Sequence, residues 1–365
     1  MSRLVQLLTD PDDDDTQLAA LQALGGLWYY SGTKSDLAGQ PWVVGPLVRL
    51  LHDGDAVKQA AAVGASYGLL VHHGRFALPL PQLLAPAHSS LNSWPVMSGL
   101  VVVLQSSASS PPILSAKSNA AAAMCVLMTF SKGACLLPAA FQLHPDAQAA
   151  VAPLVALLQH AVGSRVAAVA LGALAEGCPD NQSLIGTVDG AIRRLWQVTK
   201  LATDSDVLEA LAAVIKGHGV NQGYLMGQNF FMEDLVEMLR NRSERFSRLA
   251  ALLGEDNPNF VLKLCNTPLA VPALTAALDP SDIFCSDSDR DSDSDSVSDS
   301  IRQHKQILAL LLSMYKAQPN TILAISGQPG MKDKLQQLSK VEQLFPDATS
   351  LLQLVLLHTP SQRLS

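Results

Sequence analysis

Apolar residues fall along this chain in short clusters, each followed by a polar loop and a longer Ala/Leu-rich stretch. Leu4-Val5-Gln6-Leu7-Leu8 returns as Leu47-Val48-Arg49-Leu50-Leu51, Leu100-Val101-Val102-Val103-Leu104 and Leu154-Val155-Ala156-Leu157-Leu158. Further copies lie near Leu195, at Leu235-Val236-Glu237-Met238-Leu239 and around Leu274. The leading leucines are 43, 53, 54, 41, 40 and 39 residues apart. A helical unit repeated at such a period cannot bury its apolar face alone, so neighbours must stack.

The clearest unit runs over 151–196. Its short helix places Leu154, Val155, Leu157 and Leu158 on one side. After Gly163-Ser164, helical spacing puts Val166, Val169, Ala170, Ala173 and Leu174 inside, with Ser164 as expected N-cap and Gly177 as C-cap. Asp180-Asn181-Gln182-Ser183-Leu184-Ile185 and Gly190-Ala191-Ile192 open the next unit. Asn-led starts recur at Asn221-Gln222, Asn259-Phe260 and Asn320-Thr321. Ala and Gly in the long helices permit close approach between successive units.

Down to its Asn-x-x-x-Ile and Gly-Ala-Ile elements, this unit resembles the armadillo repeat. The resemblance implies an all-α armadillo-like α-α superhelix, a right-handed solenoid of two- or three-helix repeats, over 1–280. A Ser/Asp-rich linker at 281–300 and C-terminal helices at 301–365 follow, with 301–316 and 331–357 expected to be helical. Armadillo receptors for nuclear-localisation peptides resemble one another in a Trp/Asn ladder. The matching positions here hold Gln22, Gly26, Gly64, Gly68, Gly172, Glu176, Ala212 and Lys216, which disfavours that role. The chain opens in mid-repeat, so either truncation or a partner covering that end is expected.

Composition sharpens this picture. Aromatics make up 5% of 365 residues, favouring packed helices over sheets. The net charge of −7 is unevenly placed: Asp10 and Asp12 to Asp15 supply −5, and 282–300 supplies −6, leaving +4 on the rest. Both acidic runs are expected to be disordered, and no nucleic-acid partner is expected. Five cysteines without a CxxC pair point to a reducing, cytoplasmic setting. Pro95, Pro111 and Pro112 break one apolar stretch and Lys132 another, so no spanning helix is expected; membrane association is at most peripheral.

In the Ser/Asp run, Ser286, Ser288, Ser292 and Ser296 each carry Asp at +3, resembling acceptors of casein-kinase-2-type kinases. A solvated spacer is the bland alternative. Asp289, Asp291, Asp293 and Asp295 alternate like a calcium loop, but Ser294 and Ser300 stand where the loop needs Gly and Glu. No metal or cofactor is expected.

Enzymatic motifs find the wrong context. Gly64-Ala65-Ser66-Tyr67-Gly68 fits G-x-S-x-G but lies in an Ala-rich helical stretch, making a serine hydrolase the least favoured reading. Ser31-Gly32-Thr33-Lys34 lacks companion motifs, His72-His73 reads as a helix end, and Lys216-Gly217-His218-Gly219 as a helix terminus. One surface cluster remains: Arg240, Arg242, Arg245 and Arg248 fall within nine residues, with Arg242, Arg245 and Arg248 expected to share a helical face, as a docking site for an anionic partner or as a solvated face.

A narrower resemblance concerns GPLVRLLHDGDAVKQAAAVGASYGLL (45–70), AAAMCVLMTF (121–130), VALGALAEGCPDNQSLI (169–185) and QNFFMEDLVEMLRNRSERFSR (228–248). These are similar to the globular head of the general vesicular transport factors, the Uso-type Golgi tethers. That similarity implies a vesicle-tethering head in ER-to-Golgi transport, peripheral on Golgi membranes, with Rab GTPase or SNARE-type partners. No heptad series follows here, unlike in those tethers. The alternative is an armadillo-type nucleotide-exchange co-chaperone of Hsp70. Both readings make the chain a non-enzymatic interaction scaffold.

Overall fold

The computed structural model describes residues 6–8, 13–30, 41–73, 95–106, 110–133, 145–202, 205–228, 230–241, 244–278, 294–341 and 344–358. Every regular element among them is a helix. The chain divides into two compact units, Met1–Asn221 and Gln222–Ser365.

In the first unit the helices are α1 (Asp14–Tyr30), α2 (Pro41–Asp53), α3 (Ala56–His73), α4 (Pro95–Gln105), α5 (Pro111–Gly133) and α6 (Pro145–Ala149). They continue with α7 (Val151–Leu157), α8 (Ser164–Ala175), α9 (Pro179–Thr187), α10 (Ala191–Leu201) and α11 (Ser205–Ile215). Helix α12 (Gly219–Met226) carries the division between the units. The longer helices stack in chain order: α1 on α3, α3 on α5, α5 on α8 and α8 on α11. Small residues set this spacing. A Cβ on Gly172 would stand 2.4 Å from Ala210 Cα, so α8 meets the backbone of α11 directly.

The shorter helices carry the Leu clusters read from the sequence. Leu47, Leu50 and Leu51 on α2, Leu100 and Leu104 on α4, and Leu154, Val155 and Leu157 on α7 are all buried. Burial of a Leu side chain contributes about 2 kcal/mol, which is where the repeat period gains its energy.

The second unit comprises α13 (Phe231–Arg240), α14 (Glu244–Asp256), α15 (Pro258–Asn266), α16 (Ala270–Ala276), α17 (Ser294–Ala317), α18 (Thr321–Ser326), α19 (Met331–Leu338) and α20 (Phe345–His358). Helix α14 packs on α17, α17 on α20, and α13 on α16, around buried Phe246, Phe260, Leu308 and Leu335. One corner recurs through both units. Ile185, Leu225, Leu264 and Ile325 are fully buried, and five residues after each the backbone turns left-handed. Those positions are Gly190, Phe230, Leu269 and Gly330, with φ of 69°, 64°, 65° and 69°.

Several local expectations change. Gly163, at φ 93°, is the N-cap of α8, and Ser164 is its first residue; Gly177 is left-handed at φ 71°. Ala170, Ala173 and Leu174 are buried, but Val166 and Val169 are only half-buried. The face has rotated because α8 is held by α5 and α11 as well as by α7. Asn259 and Asn320 are exposed, and the buried positions are one residue on, at Phe260 and Thr321. The first acidic run is partly structural: Asp13 Oδ1 accepts from the Thr16 N–H at 3.0 Å at the start of α1.

The expected helix at 331–357 is two, α19 and α20, with α18 before them. Residues 281–293 of the Ser/Asp run lie outside the described residues; the expected disorder does not extend over 294–300, because α17 opens at Ser294. Among the described residues no helix is long and apolar enough to cross a membrane.

Candidate functional site

The buried polar side chains do structural work. Asn181 Nδ2 donates to the Leu174 carbonyl at 2.9 Å, at the end of α8. Forty residues on, Asn221 Nδ2 donates to the Val214 carbonyl at 3.0 Å, at the end of α11, and to Gln182 O at 2.8 Å. Gln182 Nε2 reaches Ala213 O at 2.7 Å and Lys216 O at 3.1 Å. Leu174, Val214 and Ala213 lie in the last turns of α8 and α11, so each of these side chains satisfies a carbonyl that a helix end leaves without an intrahelical partner. Gly186 makes room, since a Cβ there would stand 2.0 Å from Asn221 Oδ1. In the second unit Asn257 caps α15, accepting from the Phe260 N–H at 3.1 Å and donating to Gln222 Oε1 at 3.0 Å.

The sequence-derived chemistry sorts readily. Gly64-Ala65-Ser66-Tyr67-Gly68 lies inside α3 with Ser66 buried, not on a strand-to-helix elbow. His72 and His73 are the last residues of α3. Lys216-Gly217-His218-Gly219 joins α11 to α12: Gly217 has φ 67°, and His218 Nδ1 accepts from the Asn221 N–H at 3.3 Å. His218 Nε2 also lies 2.9 Å from Ser183 Oγ. Ser31-Gly32-Thr33-Lys34 lies outside the described residues. Among the described residues no group of three or more His, Cys, Asp or Glu is placed to hold a metal ion.

Of the predicted anion-docking arginines, Arg240 is exposed in the last turn of α13 and Arg248 is half-buried on α14. Arg242 lies outside the described residues, and Arg245 falls in the first turn of α14. Ser286, Ser288 and Ser292 lie outside the described residues, while Ser296 falls in the first turn of α17.

The structure gathers a different basic group, in the first unit. An open depression of about 640 Å³ lies between the end of α7, the start of α8 and one side of α10. Its floor includes buried Leu158 and Val198, and Leu201 stands beside them, 86% exposed. His160, Arg165, Arg193 and Arg194 line it, and no lining residue is acidic. The left-handed corner at Gly190 sets the start of α10. A Cβ on Gly190 would stand 3.6 Å from both Arg193 Nη2 and Arg194 Nε, so both guanidiniums pass over it. With its amide oxygen facing α10, Gln159 accepts from Arg194 Nη1 and Nη2 at 3.2 and 3.1 Å. Nearby, Lys200 Nζ lies 6.0 Å from the centre of the Trp196 ring.

Sequence reasoning missed this group. Arg193-Arg194 is conspicuous in the sequence, yet Gln159, Arg165 and Arg193 become neighbours only once α10 stacks on the preceding repeat.

No protein-family model and no curated protein matches the chain by sequence. Solved structures do. A chain from work on a phosphorylation switch that controls the cadherin–beta-catenin interaction aligns at TM-score 0.54 and 15% identity, over 96% of this chain and 80% of that one. An engineered protein aligns at TM-score 0.44 and 16% identity, over 97% and 98%. A designed armadillo repeat protein aligns at TM-score 0.33 and 16% identity, over 97% and 98%. With its stacked repeats, the chain has an all-α armadillo-like solenoid fold.

Proposed function

We propose that the chain is a non-enzymatic protein-interaction scaffold. The observation that carries this reading is the stacked-repeat fold itself. Buried Asn181 and Asn221 are engaged in closing helix ends, while charged and apolar side chains are presented outward on successive repeats. More narrowly, we propose a cytoplasmic vesicle-tethering head in ER-to-Golgi transport, peripheral on Golgi membranes. The stretches that resemble Uso-type tethers support this, since 45–70 falls on α2 and α3, 121–130 on α5, and 169–185 on α8 and α9.

The test is co-fractionation with Golgi membranes together with direct binding of Rab GTPases or SNARE proteins. Binding to these supports the tether. Accelerated nucleotide release from Hsp70 without Rab or SNARE binding replaces it with the co-chaperone reading. Hydrolysis of an ester that Ser66→Ala abolishes removes the scaffold reading altogether.

Exposed Arg240 at the end of α13 favours a docking role for Arg240, Arg242, Arg245 and Arg248 toward an anionic partner. Unchanged binding by an Arg242→Glu/Arg245→Glu variant would remove that role. Phosphorylation of Ser286, Ser288, Ser292 and Ser296 belongs to the same proposal and is checked by mass spectrometry of the purified chain.

A further inference from the structure

We propose that the depression between α7, α8 and α10 binds a serine-phosphorylated acidic segment of a partner protein. The proposal rests on the scaffold reading and names the ligand chemistry of one docking place on it.

Three arginines from two consecutive repeats converge there: Arg165 at the start of α8, and Arg193 and Arg194 on α10. The lining has no carboxylate and carries these guanidiniums with His160, on a chain whose net charge is −7. The residue type matters. A planar guanidinium meets a phosphate or carboxylate through parallel N–H···O bonds, where an ammonium acts as a point charge. With its amide oxygen turned to α10, Gln159 accepts from both Nη atoms of Arg194 at 3.2 and 3.1 Å, fixing that guanidinium and leaving Arg193 to meet a ligand with its full fork.

The apolar part of the site restricts the ligand further. Leu158 and Val198 form a floor, and Leu201 stands 86% exposed beside the guanidiniums. This combination suits a chain with an anionic group next to an aliphatic or aromatic residue. An anionic membrane surface fits less well, because lipid headgroups meet a flat or protruding basic face and this site is concave. Nucleic acid fits less well again, because it needs a longer basic track than three arginines and a histidine.

The test uses the full chain and fluorescein-labelled peptides copying 282–300, which have the required chemistry. Ser286, Ser288, Ser292 and Ser296 are phosphorylated in one peptide and free in the other. Anisotropy titrations should show the phosphorylated peptide binding at least about tenfold more tightly, since each phosphate adds about −1.5 to −2 charges. Arg193→Glu/Arg194→Glu should weaken that binding by more than about tenfold with an unchanged far-UV circular dichroism melt. Arg193→Lys/Arg194→Lys keeps the charge without the fork and should fall between the two; it serves if the Glu pair disturbs folding.

The proposal fails if the Glu pair binds like the wild type, or if both peptides bind alike. It also fails if Arg240→Glu/Arg245→Glu removes the binding while the Arg193/Arg194 variants retain it. Binding to phosphatidylserine vesicles that the phosphopeptide does not displace would replace it with a membrane site. Absence of all binding would end this inference, while the scaffold reading stands or falls separately on partner binding by the wild-type chain.

Discussion

Phe230 and Leu269 occupy the left-handed corner that Gly190 and Gly330 fill in other repeats, and both are more than half exposed. A side chain in that conformation costs about 1–2 kcal/mol, so neither residue is there for local stability. Phe230→Gly should therefore be more stable than Phe230→Ala by about 1 kcal/mol, the reverse of the order inside a helix. Urea unfolding of the two variants checks this; an Ala variant that is equal or better contradicts it. Gly172 presents the opposite case. Gly172→Ala drives a Cβ into Ala210 and should cost about 1–3 kcal/mol, read as a lowered urea midpoint. At the other end, the Thr16 hydroxyl and N–H hold the Asp13 carboxyl below its ordinary value of 3.8. A lowered folded-state value means stability present above pH 3.8 and lost as pH falls through the lower one. Asp13→Asn should flatten the acid limb of the unfolding curve while keeping a capping oxygen.

At the scale of the helix, the polar ladder links one repeat to the next. Asn221→Ala leaves the Val214 and Gln182 carbonyls without their buried donor and should cost about 2 kcal/mol, measurable by chemical denaturation. The short Leu-rich helices and the longer Ala-rich ones were legible because burial fixes their residue type at a regular spacing. Register within the first short helix was not. Asn181 and Asn221 mark the buried position, but Phe260 and Thr321 take it later, and Asn259 and Asn320 sit exposed one residue ahead. A polar residue near a helix start suits both a ladder and an exposed turn, so sequence alone could not separate them. The arginine depression was illegible for another reason. Gln159 and Arg194 lie 35 residues apart and meet only through stacking.

For the molecule as a whole, the net charge of −7 conceals a division of labour. Asp13 caps a helix, the Ser/Asp run supplies most of the remaining excess, and the first unit gathers arginines around one depression. The fold supplies surface and rigidity, and its partners are chosen by side chains that leave no trace in the repeat pattern. The central claim, that this is an interaction scaffold, is tested most directly by cross-linking mass spectrometry on the full chain captured from cells under mild conditions. The account predicts reproducible cross-links from lysines of the wild-type chain, Lys200 on α10 among them, to a partner protein. A chain recovered without any partner cross-link would contradict it.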